Sequence, residues 1–244
     1  MQETEIWLTR FFNDHFADVG NWFLGLAGLA RQSRPWADYI TMEILVAVIL
    51  VVLAAVLKSR LSHDRPGKFQ HIFELVYEFL EGQAHEQVGH GSHKYLAYFG
   101  TIFLFILFSN VISLVPGFEA PTMHAEVTLG CAMATFLYYN MVGIQANGLI
   151  KYLKHFVGPL WWLAPLMIPV EVIGHLARPL SLTIRLFGNM YAGEQVTMVF
   201  LRVTYILVPA VFMGLHLFVA VVQAYIFMLL TMMYVGTAAA HEEH

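Results

Sequence analysis

The stretch RPLSLTIRLFGNMYAGE, Arg178 to Glu194, sets two arginines, an asparagine and a glutamate into a segment otherwise apolar enough for a bilayer. A charge at membrane depth costs roughly 3 kcal/mol on insertion scales, so it is rarely kept without a task. Arg185 carries the most information, because a guanidinium cannot shed its proton to escape that cost. The sequence therefore predicts a permanent positive charge held inside a membrane.

The surrounding chain agrees with that setting. It is 58% hydrophobic and 12% charged over 244 residues, against about 25% charged in soluble domains. The net charge of −4 gives no reason to expect a nucleic-acid partner. Cys131 is the single cysteine, which excludes an intrachain disulfide. Glu3, Glu5, Asp14 and Asp18 near the start replace the basic region of a leader peptide, so none is expected. No repeat or metal-ligand motif stands out, and neither a metal nor a cofactor is expected.

Runs without charge divide the chain into five expected spans. The first covers residues 36–58. Tyr95 to Phe118 and Val127 to Ile150 are long enough to cross alone. Phe156 to Thr204 is apolar but interrupted by Glu171, Arg178, Arg185, Glu194 and Arg202. Val203 to Ala240 has no Asp, Glu, Lys or Arg and exceeds one perpendicular crossing, which predicts strong tilt. Between the first two spans, Phe69, Ile72, Phe73, Val76, Phe79 and Leu80 recur at helical steps, with Glu74, Glu78, Glu81 and His85 opposite. A start at Pro66 and this two-sided pattern predict a helix lying on the membrane surface. The expected fold is an all-α polytopic membrane protein: about five transmembrane helices plus that surface helix, the last two long and tilted.

Lys58, Arg60, Arg65 and Lys68 follow the first span, and Lys151 and Lys154 the third, whereas Pro116 to Glu126 has no basic residue. The positive-inside bias then places both basic groups in the cytoplasm, the N-terminus outside and the tail His241 to His244 inside. Glu171 and Arg178 fall toward the inner side and Glu194 toward the outer side.

Helical geometry sorts the polar residues further. Glu171, Arg178 and Arg185 are seven apart and drift by only about 20° per step. Ser181, Arg185 and Asn189 step by four along one face, and His216 shares a face with Gln223. If the last two spans form an antiparallel hairpin, Glu194 and His216 reach similar depth, and Gln223 approaches Arg185. Structural readings stand beside these. Arg178 and Arg202 fit interfacial anchors, and Glu171 with His175 fits a local pair. His216 and Gln223 fit buried residues bonding another helix, and Arg185 fits a cation paired with a buried acid.

RLFGNMYAGE, Arg185 to Glu194, closely resembles the signature of the subunit a family of F-type ATP synthases. GKFQHIFELVYEFLEG from Gly67 resembles that family's membrane-surface segment, and NVISLVPGFEAPT from Asn110 resembles its following loop. HLFVAVVQAYIFMLLTMMY from His216 resembles its last helix, and the HEEH tail fits. The likeness runs from about Arg65 onward; the first 35 residues match least, and nothing is drawn from them.

The resemblance implies a non-catalytic stator subunit that conducts protons through two offset half-channels. Arg185 matches the essential arginine facing the carboxylates of the rotating c-ring, flanked by Ser181 and Asn189. Glu194 and His216 match a pair linked to the outer half-channel, Gln223 a polar residue near the arginine, and Glu171 an acid of the inner half-channel. His175 departs from the pattern and rests on its adjacency to Glu171. Implied partners are the c-ring, the subunit b peripheral stalk, protons and the lipid bilayer of a bacterial inner membrane. The expected layout is one membrane domain, 1–244. It comprises an outer segment 1–35, the first span 36–58, a cytoplasmic segment 59–93 with the surface helix, and a four-helix ion-conducting part 94–240. A secondary transporter would show internal repeats, and none is evident. A haem or quinone subunit would place histidines in spans, whereas His71, His85, His90 and His93 lie in polar stretches.

Overall fold

The computed structural model describes residues 5–26, 28–62, 67–89, 91–115, 117–155, 164–203 and 207–239, whose regular structure is helical with no strand among them. In order come α1 (Trp7–His15), α2 (Ala17–Leu26), α3 (Asp38–Arg60), α4 (Lys68–Val88), α5 (Leu96–Val111), α6 (Ala125–Asn147), α7 (Leu149–His155), α8 (Ala164–Val203) and α9 (Leu207–Ala239). Pro66, the histidine-rich tail and residues 204–206 of the expected last turn lie outside the described residues.

Among those residues, α3, α6, α9 from Val208 and the segment Leu96–Leu114 are long and apolar enough to cross a membrane. The chain is a multi-pass membrane protein. The helix expected as a fifth span is α8, whose 40 residues include Pro169 and Pro179 and the charges singled out above. At 1.5 Å per residue, α8 and the 33-residue α9 are about 60 and 50 Å long. A hydrocarbon layer of about 30 Å holds such helices only if they tilt.

Helix ends follow local chemistry. Asp38 opens α3 while Lys58 and Arg60 close it, each complementing the helix dipole. Gly148, at φ 76°, ends α6 in a left-handed conformation while its N–H closes on the Ile144 carbonyl at 2.8 Å. The turn sends the short α7 back against α6, where Tyr152 packs over Gly143. A longer third span through Ile150 was expected; one glycine conformation ends it earlier.

The core lies where α9 runs along α4, α5, α6 and α8. Ala220 and Ala224 are fully buried one turn apart, and Phe227, Met228, Met232 and Val235 continue that face. Small residues let helix backbones approach closely where lipid supplies no hydrophobic drive. From α8, Leu182, Leu186 and Met190 step by four into the same core. The expected single apolar face of α4 is divided. Leu80 and Ala84 are buried and Tyr225 of α9 donates to Gln83 at 3.0 Å, whereas Phe69, Ile72, Leu75 and Phe79 stay exposed. The helix therefore has an apolar arc wide enough to pack on the bundle and still present apolar side chains outward.

Candidate functional site

The last two helices form the expected antiparallel hairpin, and three cross-pairs define its register. The Phe200 and Phe212 rings stack at 4.1 Å, Gly193 lies against the His216 ring, and Asn189 Nδ2 donates to Gln223 Oε1 at 2.9 Å. Moving back along α8 advances along α9 in step. Gln223 thus meets Asn189, one turn beyond Arg185, and not Arg185 itself.

Arg185 sits midway on α8. It is about 15 Å along the axis from His175 and about 14 Å from Glu194. Its shortest polar contact is from Nη2 to Ser181 Oγ at 3.4 Å, as the four-residue spacing predicts. No acidic side chain pairs with it among the described residues. The reading of a cation paired with a buried acid therefore has no support among the described residues. Leu182, Leu186 and Met190 face inward, so the arc with Ser181, Ile184 and Asn189 points away from the bundle. Gly188 lies on that side, and a Cβ built on it would meet nothing within 4 Å.

Beyond Arg185 a polar cluster forms around His216, which is buried. Its Nε2 lies 3.3 Å from Ser113 Oγ, while Nδ1 has no hydrogen-bond partner among the described residues. Ser113 also donates to the Asn110 carbonyl at 3.0 Å. Asn110 donates to the Ala220 carbonyl at 3.2 Å and accepts from Thr122 at 2.7 Å. Glu194 follows Gly193, the residue against the ring, and the Glu119 carboxylate acts on it electrostatically. The expected similar depth of Glu194 and His216 is found, but no direct hydrogen bond joins them. Ser113, Asn110, Thr122 and Glu119 were not foreseen as members. All four fall in the NVISLVPGFEAPT stretch whose family resemblance is noted above, but that likeness named no partner for them. A cleft of about 390 Å³ between α8 and α9 continues from Asn189 past Gly193 to His216.

A second cluster forms on the other side. His175 Nε2 lies 2.9 Å from Asn140 Oδ1 and 3.4 Å from Tyr139 Oη, and Tyr152 of α7 donates to the same Asn140 oxygen at 2.7 Å. Glu171, one turn from His175, is half-buried and within electrostatic range. His175 is thus tied to α6 as well as near its neighbour on α8. Asn140 and Tyr152 were also missed, because a lone polar residue in an apolar span announces no partner. Arg178 was read as an interfacial anchor. Its guanidinium carbon lies 5.7 Å from the Tyr139 ring centre and 5.2 Å from that of Tyr234, a cation–π clamp between α6 and α9. Arg202 carries no described side-chain position.

The two glycines make opposite predictions. Gly188→Ala adds a methyl group in open space and removes a helix glycine, so thermal stability of the purified protein should hold or rise by up to about 1 kcal/mol. Gly193→Ala drives a Cβ into the His216 ring, and its melting temperature should fall. Equal behaviour of the two variants in a thermal melt would contradict this packing.

His71 and His85 lie on α4, about 21 Å apart along its axis, and His71 faces Glu74 at 3.5 Å while highly exposed.

Comparison with known proteins settles the family. The family described as ATP synthase A chain matches residues 40–236. The chain belongs to this family. A protein of Solibacter usitatus named ATP synthase subunit a is 67% identical over 231 residues, covering 95% of this chain and 99% of its own. One of Koribacter versatilis with the same name is 43% identical, covering 97% of this chain and 98% of its own. One of Syntrophotalea carbinolica, named ATP synthase subunit a 1, is 44% identical, covering 84% of this chain and 87% of its own. Membership in the ATP synthase A chain family places the chain in ATP synthesis and proton transport within a membrane. The match begins at Ile40, so α1 and α2 lie before it.

Proposed function

We propose that this chain is the non-catalytic stator subunit of the membrane sector, carrying protons to and from the carboxylates of a c-ring through two offset half-channels. The observation that carries the proposal is Arg185. It is a permanent cation without an acidic partner among the described residues, on an outward arc of α8, between two polar clusters. A cation left unpaired within a membrane protein implies a counter-charge from outside the chain. A ring carboxylate supplies one that comes and goes.

Each residue then has a task. The cluster of Glu194, His216, Ser113, Asn110 and Thr122 relays protons from the outer side along the cleft toward Asn189. A ring carboxylate neutralised there can face lipid, because the ionised form would pay a large desolvation cost. A carboxylate arriving at Arg185 from the other side is favoured in its charged form, and the released proton leaves by Glu171, His175, Asn140 and Tyr152. Ser181 holds the guanidinium, while Asn189 and Gln223 brace the hairpin one turn away. Arg185 also repels a proton that would otherwise cross directly between the clusters. The membrane potential contributes about 2.3 kcal/mol per charge per 100 mV, which drives rotation. The open space over Gly188 admits a ring helix, so bulk there should block function while sparing the fold. Subunit b is the further partner, and the membrane is the bacterial inner membrane with the N-terminus outside and the C-terminus cytoplasmic. Residues 94–240 form the conducting part of a single membrane domain.

Sidedness tests this layout. In a Cys131→Ala background, cysteines replacing Glu194 or His216 should react with a membrane-impermeant thiol reagent or silver ion from the outer side. A cysteine at Glu171 should react from the cytoplasm. Reversed accessibility would overturn the orientation, and equal reactivity of all three from one side would overturn the two-channel reading.

A further inference from the structure

The segment ahead of the first span folds into a helix pair whose polarity is inverted relative to a water-soluble element. Its inward side is polar. Thr9 and Asn13 are buried one turn apart on α1, with Thr9 Oγ1 2.7 Å from Thr41 Oγ1 of α3. Asn13 donates to the Trp36 carbonyl at 3.1 Å and accepts from the Trp36 N–H at 3.0 Å. On α2, Asn21 exchanges two hydrogen bonds with the Gln32 backbone, at 3.0 and 2.9 Å. Gly20 lies against Pro35 and Trp36, where a Cβ would come within 2.7 Å of the proline ring. The pair is therefore fixed to the start of α3.

On α2 its outward side is apolar. Val19, Trp22, Phe23 and Leu26 fall within about 100° of α2, and their exposures are 45%, 61%, 55% and 69%. Trp7 and Phe11 on α1 and Leu29 after α2 are also exposed. On α1 the exposed Arg10 and Asp14 share the side of Trp7 and Phe11, and Asp18 borders the α2 face.

We infer that α1 and α2 form an interfacial anchor whose Val19, Trp22, Phe23 and Leu26 face lies in the headgroup–acyl boundary of the bilayer beside the first span. Depth decides the occupant. Asp38 and Thr41, the α3 residues that hold the pair, are within about 9 Å of Ile44, where the charge-free run begins. That is within the depth of about 5–10 Å at which interfacial helices lie. On α3, to which the pair is fixed, Val48, Val51 and Val52 are also exposed and only 17% of the apolar window is buried. Tryptophan beside apolar side chains, bordered by charges, suits that layer.

The test uses the whole complex in phospholipid vesicles with Cys131→Ala and single nitroxide-labelled cysteines at Trp22, Phe23 and Leu26. Power saturation should give higher collision with oxygen than with a water-soluble nickel chelate at all three. Higher collision with the chelate would place the face in water, and low collision with both would place it under a protein partner; either overturns the inference. Trp22→Phe gives a second readout that leaves the docking contacts intact. It should remove part of the tryptophan emission quenched by lipids brominated near the headgroup, and unchanged quenching would also overturn it.

Discussion

Arg185→Ala is expected to abolish ATP-driven proton pumping in reconstituted vesicles while the complex still assembles. Assembly should survive because, among the described residues, the side chain makes only the 3.4 Å contact with Ser181 and buries no partner. Removing a charge from membrane depth also relieves about 3 kcal/mol of insertion cost. Coupling should fail because an ion pair near 4 Å contributes about 4 kcal/mol at an effective dielectric of 20. Without that term the ratio of ionised to neutral form of a facing carboxylate falls by roughly a thousandfold. The barrier between the two clusters falls too, so passive proton leak should rise. Arg185→Lys should restore only part of the coupling, since a desolvated ammonium can lose its proton. Normal pumping by Arg185→Ala vesicles would end the proposal. Loss of assembly would show that the arginine has a structural partner on another chain.

Glu194 and His216 should behave as one proton-accepting unit. Glu194→Ala and His216→Ala should each slow proton flux at least about tenfold, as for a lost acid–base group. The double variant should be less impaired than independent losses predict, by a coupling of about 0.5–3 kcal/mol. The geometry sharpens this expectation. His216 Nε2 is taken by Ser113, so its Nδ1, which lies against Gly193 and next in chain to Glu194, is the nitrogen left for exchange. Exchanging the two residues should recover more flux than either single replacement. Strictly additive losses with no benefit from exchange would leave His216 as a packing residue. Ser113→Ala should have a smaller effect on flux, because it removes a partner of the ring and not the acceptor itself.

The long apolar runs were legible because a bilayer demands about 20 apolar residues per crossing, and that demand is local in sequence. The arginine, its Ser181 contact and the seven-residue faces were legible for a related reason: helical spacing alone places them. The surface helix was legible in type but not in contacts. Its apolar arc reads as one face, and only the neighbouring α9 divides it into a packed part and an exposed part. The same limit hid Asn140, Tyr152, Ser113 and Thr122, whose partners are at least twelve residues away in sequence.

By itself the sequence determined a polytopic helical membrane protein, the family signature around Arg185, and the order of polar residues along α8 and α9. Tertiary structure alone decided that Arg178 sits between two tyrosine rings, that Gln223 holds Asn189, and that His216 meets Gly193 and Ser113. It also decided that the helix pair before the first span turns its polar side inward. The division has a physical cause. Periodicity and transfer free energy are properties of one segment, whereas a hydrogen bond across helices depends on register, tilt and the residue opposite. Those are set only when α8 and α9 pack together and against α5 and α6.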